Sequence, residues 1–524
     1  MSDEFLDNDN SESGDILAKP NSNFDLQSLG LDPDVTFRLS QYLNTVERGS
    51  DVILTSPIGK DNRPVDILYA WDKIFQANSH KINKDLLDLE LANRSKFGPR
   101  SIAKPWSDLK PSIYSYFEKS RCSIPSRVLY PSKAVNESHR RLRPISVDNA
   151  LDYLKNNTNS GLPYYTRKSK VKLKVKNKFR DLLSKKYPCV MFERTQEGNK
   201  TRGVWGYPIA DTLLEMQYYR PLLDHQRKLS WRAAIVGPDE VDRQITKIIN
   251  QARLSSDYVL LSVDFSSYDA TVGKELQSAS FNYIKDLFQL NSHDDLNYIR
   301  DRFNNIGLLT PDGVINGSHG VPSGSTFTNE VDSISQYLIA ISSGCVNSEN
   351  FQIQGDDGVY ALASEDLDEL VKSFESAGLN VNKEKSRLAP DHCTYLQNLY
   401  HPDYQEDGLI RGIYPTYRAL NRLVYQERWS QFEDFDLEGR DYYSIRAYSI
   451  LENCKFHPLF EELVKFILEL DKYSLRVSRG SDTKYVRMLN NSPGSSGFLA
   501  NQRGDDVSGL RSFRSFKLVN RIRS

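Results

Sequence analysis

The stretch Phe351-Gln-Ile-Gln-Gly-Asp-Asp-Gly-Val-Tyr360 joins two short apolar runs through a turn that carries two adjacent carboxylates. Phe351, Ile353, Val359 and Tyr360 favour strand, and Gly355 and Gly358 supply the permissive backbone a tight connection needs. The pattern predicts a hairpin with Asp356 and Asp357 at its tip. Two negative charges side by side repel one another, and a bound divalent cation relieves the repulsion. The tripeptide is short, and Gly504-Asp505-Asp506 repeats it in a Ser/Gly-rich, Arg-flanked segment with no strand around it. That second copy reads as a solvated turn, so the partners of the first must decide.

Upstream, Leu260-Leu-Ser-Val-Asp-Phe-Ser-Ser-Tyr-Asp-Ala-Thr271 is an apolar run ending at Asp264, with Asp269 five residues further on. A buried strand would deliver Asp264 to its edge. Residues 271–290 have helical composition, which places Asp269 in the strand-to-helix connection, close to Asp264 but aimed differently. Taken alone, an Asp in that place is a helix cap. A third element shifts the balance: Gly320-Val-Pro-Ser-Gly-Ser-Thr-Phe-Thr-Asn-Glu-Val-Asp-Ser333, a Gly/Ser-rich loop running into a helix that continues to Ile341. Alone it would be a flexible N-cap, yet its N–H groups and hydroxyls suit a phosphate or a sugar.

In order, the three segments resemble palm motifs A, B and C of viral RNA-dependent RNA polymerases, matching Asp-x4-Asp, Ser-Gly-x3-Thr and Gly-Asp-Asp. The resemblance covers residues 157–400. Asn159-Ser-Gly-Leu-Pro163, with Ser160, Gly161 and Pro163, resembles motif G on the template path, and Lys200-Thr-Arg-Gly-Val-Trp205 the basic motif F. Residues 365–378 have the apolar spacing of an amphipathic helix. Asn382-Lys-Glu-Lys-Ser386 then resembles the end of motif D, and Cys393-Thr-Tyr-Leu-Gln-Asn-Leu-Tyr400 the primer-grip strand, motif E. The wording of motifs B and F is similar to that of small double-stranded RNA viruses, picobirnaviruses first and partitiviruses second. One position departs from the positive-strand pattern: where those enzymes carry Asn four residues after the motif B Thr, this chain has Asp332. Asn329 is near in sequence but would point elsewhere on a helix.

The resemblance implies an α+β right-hand polymerase of fingers, palm and thumb, with an antiparallel palm sheet, closed by N-terminal and fingertip segments. It implies that Asp264 and Asp356, assisted by Asp357, bind two Mg2+ ions. Oxygen ligands suit that hard cation, or Mn2+, rather than Zn2+. Lys200 and Arg202 would neutralise the triphosphate, while Asp269, Ser323, Gly324, Thr328 and Asp332 would contact the nucleotide and its ribose. Lys385 is the candidate general acid for pyrophosphate, with Lys383 as the alternative. The implied partners are RNA template, nascent RNA and ribonucleoside triphosphates, with a viral capsid protein as a further one and no membrane, in the virion interior and the host cytoplasm. The rival readings are a reverse transcriptase-like palm polymerase and a non-catalytic capsid-associated RNA-binding protein.

The chain has 524 residues, enough for several subdomains around one channel. Its 68 basic and 69 acidic residues nearly cancel, so net charge says nothing about nucleic acid. Their distribution does, because residues 167–202 form a strongly basic island. Within it Lys170-Val-Lys-Leu-Lys-Val-Lys-Asn-Lys178 alternates like a strand, which would set Lys170, Lys172 and Lys174 on one face, either as edge protection or along an RNA path. Five scattered cysteines form no Cys-x-x-Cys pair, so neither a disulfide framework nor a zinc site is indicated, and the eight histidines are dispersed. No apolar run approaches ~18 residues.

The expected organisation is an acidic segment without ordered structure at 1–25 and a region bridging fingers and thumb at 26–145. Fingers follow at 146–258, then a palm at 259–402 interrupted by a fingers insertion near 275–318, a thumb at 403–489 and a tail at 490–524. The tail ends in a basic, aromatic stretch too apolar for a purely solvated segment. It is expected to fold back near the channel and affect initiation, with Phe513 and Phe516 stacking on bases or filling an apolar groove.

Overall fold

The computed structural model describes residues 26–59, 61–118, 122–123, 140–429, 432, 437–480, 483–485 and 509–524. The acidic segment at 1–25 and Gly504-Asp505-Asp506 lie outside them.

The central sheet is antiparallel, in the order Phe351–Gln354, Asp357–Ala363, Tyr258–Val263, Arg387–Ala389. Strand periodicity divides its side chains between two layers. Leu261, Val263, Tyr360 and Leu362 pack with Ile334 and Leu338 of helix Thr328–Ser343 and with Phe374 of helix Leu367–Ser376. Leu260, Val359 and Ala361 face the other way, onto Val241, Ile245 and Ile249 of helix Pro238–Ala252. Strands Phe351–Gln354, Asp357–Ala363 and Tyr258–Val263 are covered on both sides, which is why they read as apolar runs, whereas Arg387–Ala389 is a largely exposed edge.

The expected hairpin forms, with Gln354 paired to Asp357 so that Gly355 and Asp356 are its two-residue turn. Asp357 is therefore the first strand residue, not part of the tip. Gly355 sits at φ +65°, where a side chain is disfavoured. Gly358 is glycine for another reason: a Cβ there would fall 2.0 Å from Gln336 Oε1.

A second sheet runs Lys200–Gly206, Cys189–Gln196, Leu308–Thr310, Gly313–Ile315. Its first two strands are a hairpin, and Cys189–Gln196 lies parallel to Leu308–Thr310. The chain between motifs A and B thus leaves the central sheet and extends this one. The N-terminal helices reach both ends of the molecule. Val35 and Leu39 of helix Pro33–Arg48 pack with Leu162 and Val190, whereas Trp71 and Phe75 of helix Pro64–Asn78 join Tyr417, Leu420 and Phe466. Glu90, buried on helix Lys84–Arg94, accepts from Thr416 N at 2.7 Å and Tyr417 N at 3.1 Å, capping helix Thr416–Val424 from across the fold.

Three local expectations need correction. Residues 170–178 are not a strand: a 3-10 turn, Lys168–Lys170, leads into helix Lys172–Asn177. Val171, Val175 and Phe179 are buried at helical spacing while Leu173 is 76% exposed, so the Lys/apolar alternation concealed a period of four. The helix expected over 271–290 is Lys274–Leu287, and a single turn, Tyr268–Thr271, precedes it and holds Asp269. Motif E is a hairpin, Cys393–Tyr395 against Asn398–Tyr400, rather than one strand. Leu396 and Gln397 turn it in left-handed conformations, for which their residue types give no cue.

Candidate active site

Strand Tyr258–Val263 pairs with Asp357–Ala363 in the register Val263↔Gly358, so Asp264 leaves the sheet opposite Asp357. Asp356 stands exposed on the turn beside them. The Asp264 N–H donates to Ser386 Oγ at 3.0 Å and its carbonyl accepts from Asn382 N at 2.8 Å. Those bonds attach the segment carrying Lys385 to the end of the strand. Left-handed Ser267 (φ +54°) then turns the chain into Tyr268–Thr271, which holds Asp269. Asp332, buried on helix Thr328–Ser343, completes the group, and its Oδ1 has no hydrogen-bond partner.

Burial first, then repulsion from neighbouring carboxylates, raises Asp357, Asp269 and Asp332. Asp357 is pushed up to about 7, with Asp356 and Asp264 adding to the burial. Asp269 is pushed up to about 6, Asp356 raising it and Arg202 opposing. Asp332 is held well above the ordinary range by burial, Asp269 and Asp356. Burial also raises Asp264, which feels Asp356 on one side and Lys385, Lys200 and Lys96 on the other. The ion pairs among the described residues leave Asp264, Asp356 and Asp357 out. Unpaired oxygen donors that repel one another fit a hard divalent cation.

The motif B loop is pressed between two neighbours. Val321 N donates to Asp269 O at 2.7 Å, and a Cβ on Gly324 would lie 1.5 Å from Trp205 O. Buried Glu215 accepts from Ser325 Oγ at 2.7 Å and from Thr326 N and Oγ1 at 2.7 and 2.6 Å. Thr328 Oγ1 donates within the loop, to Pro322 O at 2.8 Å or Ser325 O at 2.9 Å. Ser323 Oγ, by contrast, is buried without a partner.

Arg232 couples the helix to the catalytic turn. Fully buried, it donates to Glu330 Oε1 at 2.9 Å, Asn329 Oδ1 at 3.1 Å, Gln354 Oε1 at 3.0 Å and Ser333 Oγ at 2.5 Å. Ser333 Oγ in turn accepts from Gly355 N at 2.8 Å, and Gln336 Nε2 donates to Gly355 O at 3.0 Å. Both sides of the turn peptide are thereby held by the motif B helix. Asn329 faces Arg232, not the group of aspartates, as the helical geometry predicts.

The family model described as viral RNA-dependent RNA polymerase matches residues 126–468. The chain belongs to that family. It is 31% identical over 476 residues to the "Potential RNA-dependent RNA polymerase" of a human picobirnavirus (strain Human/Thailand/Hy005102/-), covering 83% of this chain and 86% of the relative. It is 25% identical over 381 residues to the RNA-directed RNA polymerase of Cryptosporidium parvum virus 1 (strain KSU-1), covering 63% and 69%. The crystal structure of a human picobirnavirus RNA-dependent RNA polymerase superposes with a TM-score of 0.79 at 26% identity, over 94% of this chain and 99% of that one. An insertion-loop deletion mutant of such an enzyme gives 0.77 at 27% identity, over 94% and 99%. The fold is thus that of a right-hand polymerase, the activity is template-directed RNA synthesis, and a family that works with divalent ions leaves no place for the non-catalytic reading.

In this polymerase Lys200 and Arg202 lie on strand Lys200–Gly206, where both act electrostatically on the aspartates. Lys383 pairs with Glu375 at 3.3 Å, which leaves Lys385 as the motif D lysine facing Asp264. Gly161 takes φ +60° and packs against Tyr207 O, so the turn holding Ser160 and Pro163 abuts the motif F strand. Lys168 braces that turn through Thr158 Oγ1 at 2.9 Å and Asn159 O at 3.0 Å. Lys172 donates to Leu151 O at 2.7 Å and Lys174 lies over the Tyr164 ring, so with Lys170 they do not form the single lysine face that a strand would make. Sequence reasoning missed Lys96 and Arg418, which act on Asp264 and Asp357, as well as Arg232 and Glu215. None of the four left a trace in the sequence, where each stands among other charged and polar residues.

Proposed function

We propose that Asp264, Asp356 and Asp357 hold two Mg2+ ions, with Mn2+ as a substitute, and that the enzyme transcribes and replicates the genome of a double-stranded RNA virus. The observation that carries this reading is the placement of Asp264 opposite Asp357, with Asp356 on the adjoining turn and no cation paired to any of them among the described residues. When bound, the ions lower the pKa of the primer 3′-hydroxyl and stabilise the leaving pyrophosphate. Lys200 and Arg202 receive the triphosphate, and Lys385 gives a proton to pyrophosphate. Asp269, Ser323 and Asp332 read the ribose, Gly324 keeps the loop close to Trp205, and Thr328 closes the loop rather than contacting sugar.

The proposed subdomains are fingers at 146–258 with an insertion near 275–318, palm at 259–402 and thumb at 403–489. Ser160, Gly161 and Pro163 guide the template in this reading, whereas Lys170, Lys172 and Lys174 contribute charge only from helix and turn positions. A cavity of about 810 Å³ bordered by Gln354, Asp357, Gln397 and Lys455 lies between the Asp356 turn and the motif E hairpin. No helix among the described residues is long and apolar enough to cross a membrane. A capsid protein is the proposed further partner, with the virion interior and host cytoplasm as the places of action.

Incorporation of labelled ribonucleotides on an RNA template without a primer tests the activity. Asp264→Asn and Asp356→Asn are each expected to lower it at least ~10²-fold while template binding persists, because each removes a charged ligand and little volume. Synthesis at the wild-type rate by either variant would refute the assignment.

A further inference from the structure

Away from the aspartates the fold gathers three side chains that lie far apart in sequence. Asp85 is in the first turn of helix Lys84–Arg94, His392 immediately precedes strand Cys393–Tyr395, and His401 immediately follows strand Asn398–Tyr400. One ligand atom from each lies within 4.8 Å of the others, a convergence found among the described residues only here. Dispersal of the histidines along the chain gave no sign of it. His392 Nε2 is 3.5 Å from Asp85 Oδ1, and His401 Nε2 is 3.6 Å from Asp85 Oδ2. These distances are long for hydrogen bonds. They run to different oxygens of Asp85, so three single ligand atoms, all within 4.8 Å of one another, would draw in toward the ~3.4 Å edge of a tetrahedron whose ligands stand ~2.0–2.1 Å from zinc.

The surroundings already orient the rings. Asp391 Oδ1 lies 2.9 Å from His392 Nδ1, so that N–H goes to a carboxylate and the Nε2 lone pair faces Asp85. At His401 the Asp403 N–H donates to Nδ1 at 3.0 Å, with Asp403 Oδ2 at 3.4 Å. Coordination through His401 Nε2 takes the other tautomer, with the Nδ1 proton turned to that carboxylate. Asn83 Nδ2 steadies Asp403 at 2.9 Å, and Asn83 N donates to the Tyr404 hydroxyl at 2.9 Å. The three side chains are 36%, 24% and 12% exposed in the order Asp85, His392, His401, which leaves a fourth position for water.

We propose that Asp85, His392 and His401 form a transition-metal site of the zinc class, which staples the N-terminal region to both flanks of the motif E hairpin. Two imidazoles and one carboxylate favour Zn2+ over Mg2+, so the site differs in chemistry from the oxygen-only aspartates. Its position gives it leverage: Thr394 N donates to Ser262 Oγ at 2.9 Å, and Tyr395 packs with Val359 and Ala361 under the catalytic sheet. Metal bound only by the folded chain stabilises it by mass action.

The test uses the full chain, stripped with chelator and then dialysed against buffered Zn2+ in excess Mg2+, with zinc per chain and Tm as readouts. The expected result is one zinc per chain and a raised Tm in the wild type and in Asp264→Asn. His392→Ala and His401→Ala should bind it at least ~10-fold more weakly and lose the rise. Should those variants fail to fold, Asp391→Asn keeps the ring, removes its orienting carboxylate and should weaken binding about 10-fold. A wild type that takes up no zinc, or site variants that bind it as tightly as the wild type, would overturn the proposal.

Discussion

Asp269, Ser323 and Asp332 form the part of the site where polar atoms are buried before any substrate arrives. Ser323 Oγ and Asp332 Oδ1 have no partner, and an unpaired buried polar group costs ~1–3 kcal/mol, which a ribose hydroxyl can offset. Asp269→Ala should therefore lower the preference for ribo- over deoxynucleotides in single-nucleotide incorporation, and an unchanged ratio would sink the assignment. Lys385 belongs to the same scale. If it donates a proton, Lys385→Leu slows a single turnover more than Lys385→His does, whose imidazole can still donate. Arg232 acts without touching substrate. Arg232→Met leaves Glu330 buried without its cation and takes a donor from Ser333, which holds Gly355 N, so it should cost on the order of 3–5 kcal/mol in urea denaturation. Arg232→Lys should recover little, because one ammonium cannot span five side-chain acceptors, Gln226 Oε1 among them.

At the level of elements, the tip of the Cys189–Gln196/Lys200–Gly206 hairpin is held against helix Thr416–Val424 by charge. Glu197 pairs with Arg418 at 2.8 Å and Arg100 at 3.3 Å. Burial alone would raise its carboxyl, but Arg418, Arg100 and Arg422 together bring it down to about 2. A depressed carboxylate stabilises the fold above its unfolded pKa, near 4.5, and loses that contribution as pH falls toward the folded value. Wild type should thus exceed Glu197→Gln in stability by on the order of 3 kcal/mol at neutral pH, since each pKa unit is worth about 1.4 kcal/mol. The gap should narrow as pH is lowered from about 4.5 toward about 2. Denaturation of both proteins across that range checks the sign. A gap that widens in acid would show that these ion pairs are not what holds the hairpin tip to helix Thr416–Val424.

Across the whole molecule, the described segment 509–524 packs into the core formed by helices Thr416–Val424, Gly439–Leu451 and Phe460–Leu470. Phe513, Leu518 and Val519 are buried in the cluster that contains Tyr417, Tyr448 and Leu463. Glu452 accepts from Arg514 N at 3.0 Å and Ser515 N at 2.8 Å, satisfying the start of helix Arg514–Arg523. Phe513 faces Tyr485 and Phe516 faces Tyr448, so of the two expected uses, base stacking and groove filling, these rings serve the second. Deleting residues 509–524 should lower Tm, with a cost on the order of 5 kcal/mol for the buried apolar side chains. A truncated chain with unchanged Tm would contradict the packing. The ratio of primed to unprimed synthesis, read well below the Tm, then reports any effect of the tail on initiation.

Three short runs, around Asp264, Ser323 and Asp356, were enough to read the polymerase family, and two of them hold the carboxylates proposed as metal ligands. In each, local chemistry and chain order coincide: a strand end, a Gly/Ser loop before a helix, and a two-residue hairpin. Glu197, Arg232 and Glu215 were not legible, because a charged residue in a linear sequence reads as a solvated one until its partners are known. The Lys170–Lys178 alternation misled for a related reason, since nine residues carry periods of two and of four equally well until the buried side is known. Gly358 and Gly324 were visible as glycines, but the side chain and carbonyl that exclude a Cβ there belong to distant segments. The meeting of Asp85 with His392 and His401 was likewise decided by tertiary structure alone, because long-range packing, not spacing along the chain, sets which side chains share a site.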